Sequence, residues 1–119
     1  MKLSEYVTYD ALGLSDLIKK GEITSEEVAG LALEGVNKVN DQLNAIVSLF
    51  DQPYKEKAKG DAQFDGVPFF IKDIGASIAG IPQENGSRYT EGFVSPFTSY
   101  FAQNVLDSGF QVLGRSTCP

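Results

Sequence analysis

The sequence contains no histidine and a single cysteine, Cys118, among its 119 residues. Without histidine the chain cannot assemble a Ser-His-Asp triad. With one cysteine it cannot form an internal disulfide, which favours a reducing compartment. Zinc sites draw mainly on these two residue types, so metal chemistry is disfavoured as well. The candidate general bases are therefore lysine, aspartate and glutamate, and Cys118 is interpreted as a small loop residue.

Positive charge and long apolar runs are also scarce. Lys and Arg number 10 against 16 Asp and Glu, which gives a formal net charge of -6. The chain has no basic stripe, so binding to the phosphates of a nucleic acid or to an anionic membrane is not expected. No run approaches the roughly 18 apolar residues of a membrane span, and the first residues lack the apolar core of a secretory signal. We therefore expect a cytoplasmic protein without nucleic-acid or membrane partners.

What is present has the composition of one globular unit, 42% hydrophobic and 22% charged, so we predict one unit over residues 1–119. Residues 1–59 are predicted to be mainly helical. A first helix is expected to end at Gly21, and Thr24 with Glu27 forms a capping box for a second helix. The second helix has its apolar face over 28–39 and is expected to end at 40–41.

Sheet and loop structure is predicted for most of the remainder. A strand over 45–50 is followed by a short polar helix over 54–59. Residues 60–119 are predicted as strand, loops, helix and strand. Their elements are a buried strand over 67–71, a helix that Thr98 or Ser99 caps and a strand over 110–113, with a loop from Gly114 onward. Helices that alternate with strands in this way indicate an α/β fold.

The most informative segment is 66–73, Gly-Val-Pro-Phe-Phe-Ile-Lys-Asp, in which Lys72 follows five apolar residues. Burial disfavours the charged ammonium and lowers the pKa of a lysine, which can then act as a general base near neutral pH. The alternative is a lysine that ends an edge strand and extends along apolar surface into water. Asp73 would lie on the other side of the strand, where it could orient a backbone amide or cap a loop.

This segment resembles the lysine motif of the amidase-signature family, in which Gly-Val-Pro and a few apolar residues precede Lys-Asp. Other parts of the chain are similar to the family in the same order. Residues 22–27 and 40–47 resemble its N-terminal helical signature, and 86–88 resemble its turn after the lysine. Residues 109–119 are similar to its segment that leads to Gly-Lys-Thr-Asn-x-Pro. The resemblance covers nearly the whole chain.

The resemblance implies the N-terminal helices and the first strands of a mixed α/β sheet with flanking helices. It also implies amide hydrolysis by a Ser-cisSer-Lys triad, with Lys72 as the general base and no cofactor or metal. In the family both serines lie in a Gly-Gly-Ser-Ser-Gly-Gly-type segment that this sequence does not contain. Its later serines are interpreted as loop, cap or surface hydroxyls: Ser77, Ser87, Ser95, Ser99, Ser108 and Ser116. The chain alone is therefore predicted to be inactive.

The sequence also departs from the family pattern. Residues 115–119 are Arg-Ser-Thr-Cys-Pro where the family has a Lys-Thr-Asn-x-Pro pattern, and Ile74-Gly75 replaces the asparagine common after Lys-Asp. These changes leave the substrate, a small-molecule amide in a complete enzyme, open. Arg88 could bind a substrate carboxylate, although a salt bridge that stabilises its turn is the simpler interpretation.

Two functions remain open at this point. The chain is either the N-terminal part of an amidase that needs a complementing C-terminal portion, or an interaction module that kept the fold and forms a homodimer or binds a partner. Half of a sheet would expose strand edges and a hydrophobic patch. The catalytic interpretation expects Lys72 to lie in an apolar pocket beside a cleft. An ammonium in open water with no cleft beside it would argue against enzymatic ancestry.

Overall fold

The computed structural model describes residues 1–119 and contains four α-helices and three β-strands. In chain order the elements are α1 (Leu3–Tyr6), α2 (Ala11–Lys19), α3 (Ser25–Leu43), β1 (Ile46–Tyr54), β2 (Pro68–Lys72), α4 (Tyr100–Asp107) and β3 (Gln111–Ser116), with a short 3-10 helix at Arg88–Thr90.

The three strands form a mixed sheet in the order β1-β3-β2. Strand β3 lies in the centre, antiparallel to β1 and parallel to β2. Because parallel strands need a crossover connection, α4 lies between β2 and β3 in the chain. The predicted α/β class with a mixed sheet and flanking helices is confirmed.

The helix boundaries follow local capping chemistry. The Asp10 carboxylate accepts a hydrogen bond from the Gly13 amide at the start of α2. At the start of α3, Thr24 and Glu27 form the predicted capping box with both reciprocal bonds. The predicted end of α3 was wrong by a few residues, because the helix continues to Leu43 and Asn44 then takes a left-handed φ of 48°. Ser99 caps α4, as one of the two predicted alternatives.

Two further predictions for secondary structure were wrong. The polar helix expected over 54–59 is absent, because β1 continues to Tyr54, which pairs with Val112 of β3. Sheet pairing therefore overrides the local helical preference. Strand β3 also continues to Ser116 instead of ending at 113, since its last residues pair with both neighbouring strands.

The core occupies both faces of the sheet. Neighbouring residues of β3 point to opposite faces, and they belong to different clusters. Val112 packs with α4 in a cluster of Ile71, Ala76, Ile78, Ala102, Leu106 and Val112. Leu113 packs against Ala29 and Ala32 of α3. A further cluster joins α2 and α3 to the start of β2 through Leu14, Ile23, Val28 and Val67. The central strand is therefore covered on both sides.

Close packing between β1 and β3 requires a glycine at position 114. A Cβ there would overlap the Ser48 carbonyl oxygen and approach the Leu49 Cα to 3.1 Å. We expect Gly114→Ala to lower the free energy of unfolding by about 1–3 kcal/mol, the usual cost of overpacking. Gly30→Ala is the control, because a Cβ on this residue of α3 meets nothing within 4 Å. It should raise stability by about 0.5–1 kcal/mol. Equal effects in urea titrations would contradict this packing.

Apolar surface and strand edges remain exposed, as expected for half of a sheet. Strands β1 and β2 are both edge strands. Large exposed hydrophobic side chains concentrate before and at the start of α4: Tyr89, Phe93, Val94, Phe97, Tyr100 and Phe101. No helix has the length and apolar character required to cross a membrane.

Candidate active site at the end of strand β2

Lys72 is the last residue of β2 and lies opposite Ser116 of β3. Its side chain is exposed, and it takes part in none of the five ion pairs of the structure. The prediction of an apolar pocket around Lys72 is therefore wrong for this chain by itself. The physical reason is that β2 is an edge strand in which only Ile71 is buried.

Asp73, directly after Lys72, is buried at 2% exposure and holds the following loop. Its amide donates to the Ser116 carbonyl at 3.0 Å, and its own carbonyl accepts from the Asn85 amide at 2.9 Å. Its carboxylate accepts from the amides of Glu84 at 2.9 Å and Gly86 at 3.3 Å. The expectation that Asp73 orients backbone amides is confirmed.

Arg115 of β3 is the buried partner of Asp73, with 6% exposure. Its Nη1 donates to Asp73, its Nη2 to the Glu84 carboxylate at 3.0 Å and its Nε to the Ser48 hydroxyl at 3.1 Å. We call Ser48, Asp73, Glu84 and Arg115 the Arg115 network. It connects β1, β3 and the loop after Lys72.

Reasoning from the sequence missed this network and assigned the salt bridge to the wrong arginine. Arg88 is exposed and forms no ion pair. A signal for Arg115 was present, because it follows the mostly apolar residues 110–114 much as Lys72 follows 67–71. Because β2 and β3 are neighbouring parallel strands with Arg115 opposite Ile71, residues near their carboxyl ends lie at one edge of the sheet.

A tight turn returns the loop to the network. Asn85 and Gly86 both have positive φ, 54° and 64°. A Cβ on Gly86 would approach the Cβ of Cys118 to 3.2 Å, so the end of the chain packs against this turn. Cys118 is half-buried and unpaired, in agreement with its interpretation as a small loop residue.

An open cavity of about 410 Å³ lies beside the network. Its lining residues are mostly polar: Val47, Asp73, Glu84, Gly86, Ser87, Arg88 and Glu91. Lys72 is the neighbour in sequence of one lining residue, Asp73, but does not itself line the cavity. The structure therefore contains a cleft next to the lysine strand, although the ammonium does not lie within it.

The later serines mostly serve the backbone, as predicted. Ser87 and Ser99 cap helices, the Ser95 hydroxyl donates to the Phe97 carbonyl, and the Ser108 hydroxyl donates to the Asn104 carbonyl. Ser116 lies opposite Lys72 in the sheet register.

Hydrogen bonds lower the pKa of Glu84 from its ordinary value of 4.5, the Gly92 amide first and the Arg115 guanidinium next. A folded-state pKa below the unfolded value means that this stability is present above pH 4.5 and is lost as the pH falls through the folded pKa. We expect Glu84→Gln to be less stable at pH 7 and to lose less stability on acidification below pH 4.5. Glu22→Gln, at an exposed side chain, is the control in urea titrations over pH. If the free energy of unfolding of Glu84→Gln falls as steeply below pH 4.5 as that of the unmodified chain, the prediction is contradicted.

Comparison with known proteins identifies the class. No protein-family model matches the chain. A lipoamidase from Enterococcus faecalis is 30% identical in an alignment of 120 positions, which include 98% of this chain and 17% of that protein. The 6-aminohexanoate-cyclic-dimer hydrolase from Paenarthrobacter ureafaciens is 28% identical over 113 residues, 92% of this chain and 23% of that enzyme. The chain spans about a fifth of the length of these curated relatives.

Fold comparison agrees. A solved structure of 6-aminohexanoate cyclic dimer hydrolase matches with a TM-score of 0.78 at 23% identity, over 93% of this chain and 24% of that one. By name these relatives are an amidase and a hydrolase. They are amidase-signature enzymes, so the resemblance found through the lysine motif is confirmed, and the chain is homologous to part of such an enzyme.

Proposed function

We propose that this chain is the N-terminal part of an amidase and that Lys72 is its catalytic general base. The observation that carries the proposal is the placement of Lys72 at the end of a strand, next to the buried Asp73, in a chain homologous to amidases. The ends of strands in α/β sheets are where catalytic groups are usually found. The serines of the triad would come from residues outside this sequence.

In the proposed mechanism the neutral Lys72 amine accepts a proton from a bridging serine, which accepts one from the nucleophilic serine. The nucleophile attacks the carbonyl carbon of a small carboxylic amide, and the tetrahedral intermediate expels the amine, which takes the proton back from Lys72 through the bridging serine. Water then attacks the acyl-enzyme and gives a proton to Lys72 by the same route. The carboxylic acid is released, and the nucleophilic serine takes up that proton. Backbone amides would stabilise the oxyanion.

The exposure of Lys72 sets a requirement for this mechanism. A general base must be able to lose its charge, and burial is what disfavours the charged form of a lysine. The proposal therefore requires further protein to pack over the end of β2. The relatives are four to six times longer than the matched segment, so they have further residues that could pack there. The homology to amidases supports enzymatic ancestry although Lys72 is exposed, and a cavity lies beside the neighbouring Asp73.

The isolated chain should hydrolyse no amide, because it lacks the glycine-flanked serines and leaves Lys72 exposed. We expect the purified chain to give no turnover above a buffer control with simple aliphatic and aromatic amides, measured as ammonia release. Turnover that Lys72→Ala abolishes, and that Lys57→Ala at another exposed lysine preserves, would contradict this prediction.

A second candidate function is a self-associating module, and one surface favours it. Residues 92–106 contain no charged side chain, and they carry Phe93, Val94, Phe97, Tyr100 and Phe101 in exposed positions. Aromatic residues are enriched and charges are depleted in the cores of protein interfaces. A monodisperse dimer in sedimentation velocity, converted to monomer by Phe97→Ser with Phe101→Ser, would support the module. A monomer or nonspecific aggregate would count against it.

A further inference from the structure

The backbone, and not the side chain, determines where Lys72 lies. Its exposed side chain forms no ion pair, whereas the next residue is held on three sides. The Asp73 amide, carbonyl and carboxylate bind Ser116, Asn85 and the amides of Glu84 and Gly86, respectively. The position of the lysine at the end of β2 therefore depends on how firmly Asp73 is held.

Arg115 completes this arrangement from the central strand. It lies opposite Ile71 in the register of β2 and β3, one residue before the Ser116 carbonyl that binds the Asp73 amide. Each of its three side-chain nitrogens donates a hydrogen bond, one to Ser48 on β1 and the others to Asp73 and Glu84 of the loop. A planar guanidinium that binds several acceptors in this way fixes their relative geometry.

Stability alone gives little reason for such a cluster. Burying an ion pair costs about as much as the attraction returns, and a well-packed apolar group often does as well. What a buried network does supply is a single arrangement of the elements that it joins. Here those elements are β1, β3 and the loop that begins directly after Lys72 and borders the cavity.

We propose that Asp73 and Arg115 are positioning residues that hold Lys72 in the geometry required for proton transfer. This inference rests on the proposed function, since it assigns the network to the same site. Proton transfer requires its base within hydrogen-bond reach, and a displacement of about 1 Å can cost 10²-fold in rate.

The first arm of the test uses the full chain and amide hydrogen exchange. Arg115→Met should accelerate exchange at the Asp73 and Asn85 amides at least tenfold, whereas the Val28 amide of α3 should keep its wild-type rate. Arg115→Lys retains the charge and should change these rates less; it also serves if Arg115→Met unfolds the chain. Wild-type exchange at Asp73 and Asn85 in both variants would overturn the inference.

The second arm separates the inference from the proposed function. The chain replaces the matching segment of the Paenarthrobacter ureafaciens hydrolase, and kcat and KM are measured for hydrolysis of the 6-aminohexanoate cyclic dimer. Arg115→Met should lower kcat at least tenfold with little change in KM, and Arg115→Lys, which keeps the charge but not the planar fork, should restore only part of it. Lys59→Ala, which breaks the exposed pair with Asp107, is the control.

The outcomes are distinguishable. If Lys72→Ala abolishes turnover while folded Arg115→Met keeps its kcat, the positioning role is wrong and the proposed function stands. If Lys72→Ala keeps full turnover, or the chimera has none, the proposed function is contradicted, and the exchange arm still decides whether the network holds the loop.

Discussion

Asp73→Ala is expected to lower the free energy of unfolding by about 3–5 kcal/mol, because it leaves the Arg115 guanidinium buried without its closest counter-charge. Asp73 and Arg115 expose only 2% and 6% of their surface, so the pair is largely desolvated in the folded chain. The same change removes the acceptor for the Glu84 and Gly86 amides. Urea titration of the isolated chain at pH 7 measures the effect.

Two controls distinguish the cost of breaking the buried ion pair from the effect of removing a charged side chain in general. Glu34→Ala breaks the exposed pair with Lys38, which has a similar distance of 2.8 Å, and should cost no more than about 0.5 kcal/mol. The double variant Asp73→Ala with Arg115→Met removes both charges and should be more stable than the sum of the two single losses predicts. A loss below 1 kcal/mol for Asp73→Ala would show that solvent reaches the pair.

Lys72→Ala in the chimeric hydrolase described above is expected to lower kcat by about 10²–10⁴-fold, the usual contribution of a general base. KM should change much less, because the lysine acts on a serine proton and contributes little to substrate binding in the proposed mechanism. Stability should also change little, since the exposed Lys72 side chain forms no ion pair.

Lys57→Ala is the matched control, because Lys57 is also exposed but lies in the segment between β1 and β2. It should retain the kcat of the unmodified chimera. Equal activity of the two variants would contradict a catalytic role for Lys72.

The parts of the fold that could be predicted from sequence are those that depend on neighbouring residues. The capping box of Thr24 and Glu27 and the cap of α4 at Ser99 require only a few consecutive positions, and the structure contains both. The prediction of a helix over 54–59 was wrong because the structure there depends on a residue far away in the sequence. Its first residue, Tyr54, pairs with Val112, a partner 58 positions away in the sequence.

In the candidate site, too, features that depend on neighbouring residues were predicted, and features that depend on distant contacts were not. The resemblance to the family's lysine motif pointed to Lys72, and its catalytic role stays a prediction. The expected binding of backbone amides by Asp73 is present in the structure. The sequence did not identify Arg115 as the partner of Asp73, because that contact depends on the parallel register of β2 and β3. Nor could it predict the exposure of Lys72, which depends on what packs against the end of β2.

The most direct test of the central claim is the turnover of the chimera with Lys72→Arg. Arginine keeps the positive charge and a long side chain, but it does not give up its proton in proteins and cannot serve as a base. If Lys72 is the general base, kcat falls at least about 100-fold, close to the value for Lys72→Ala. Turnover within a factor of about two of the unmodified chimera would show that the residue contributes charge only, and would contradict the account.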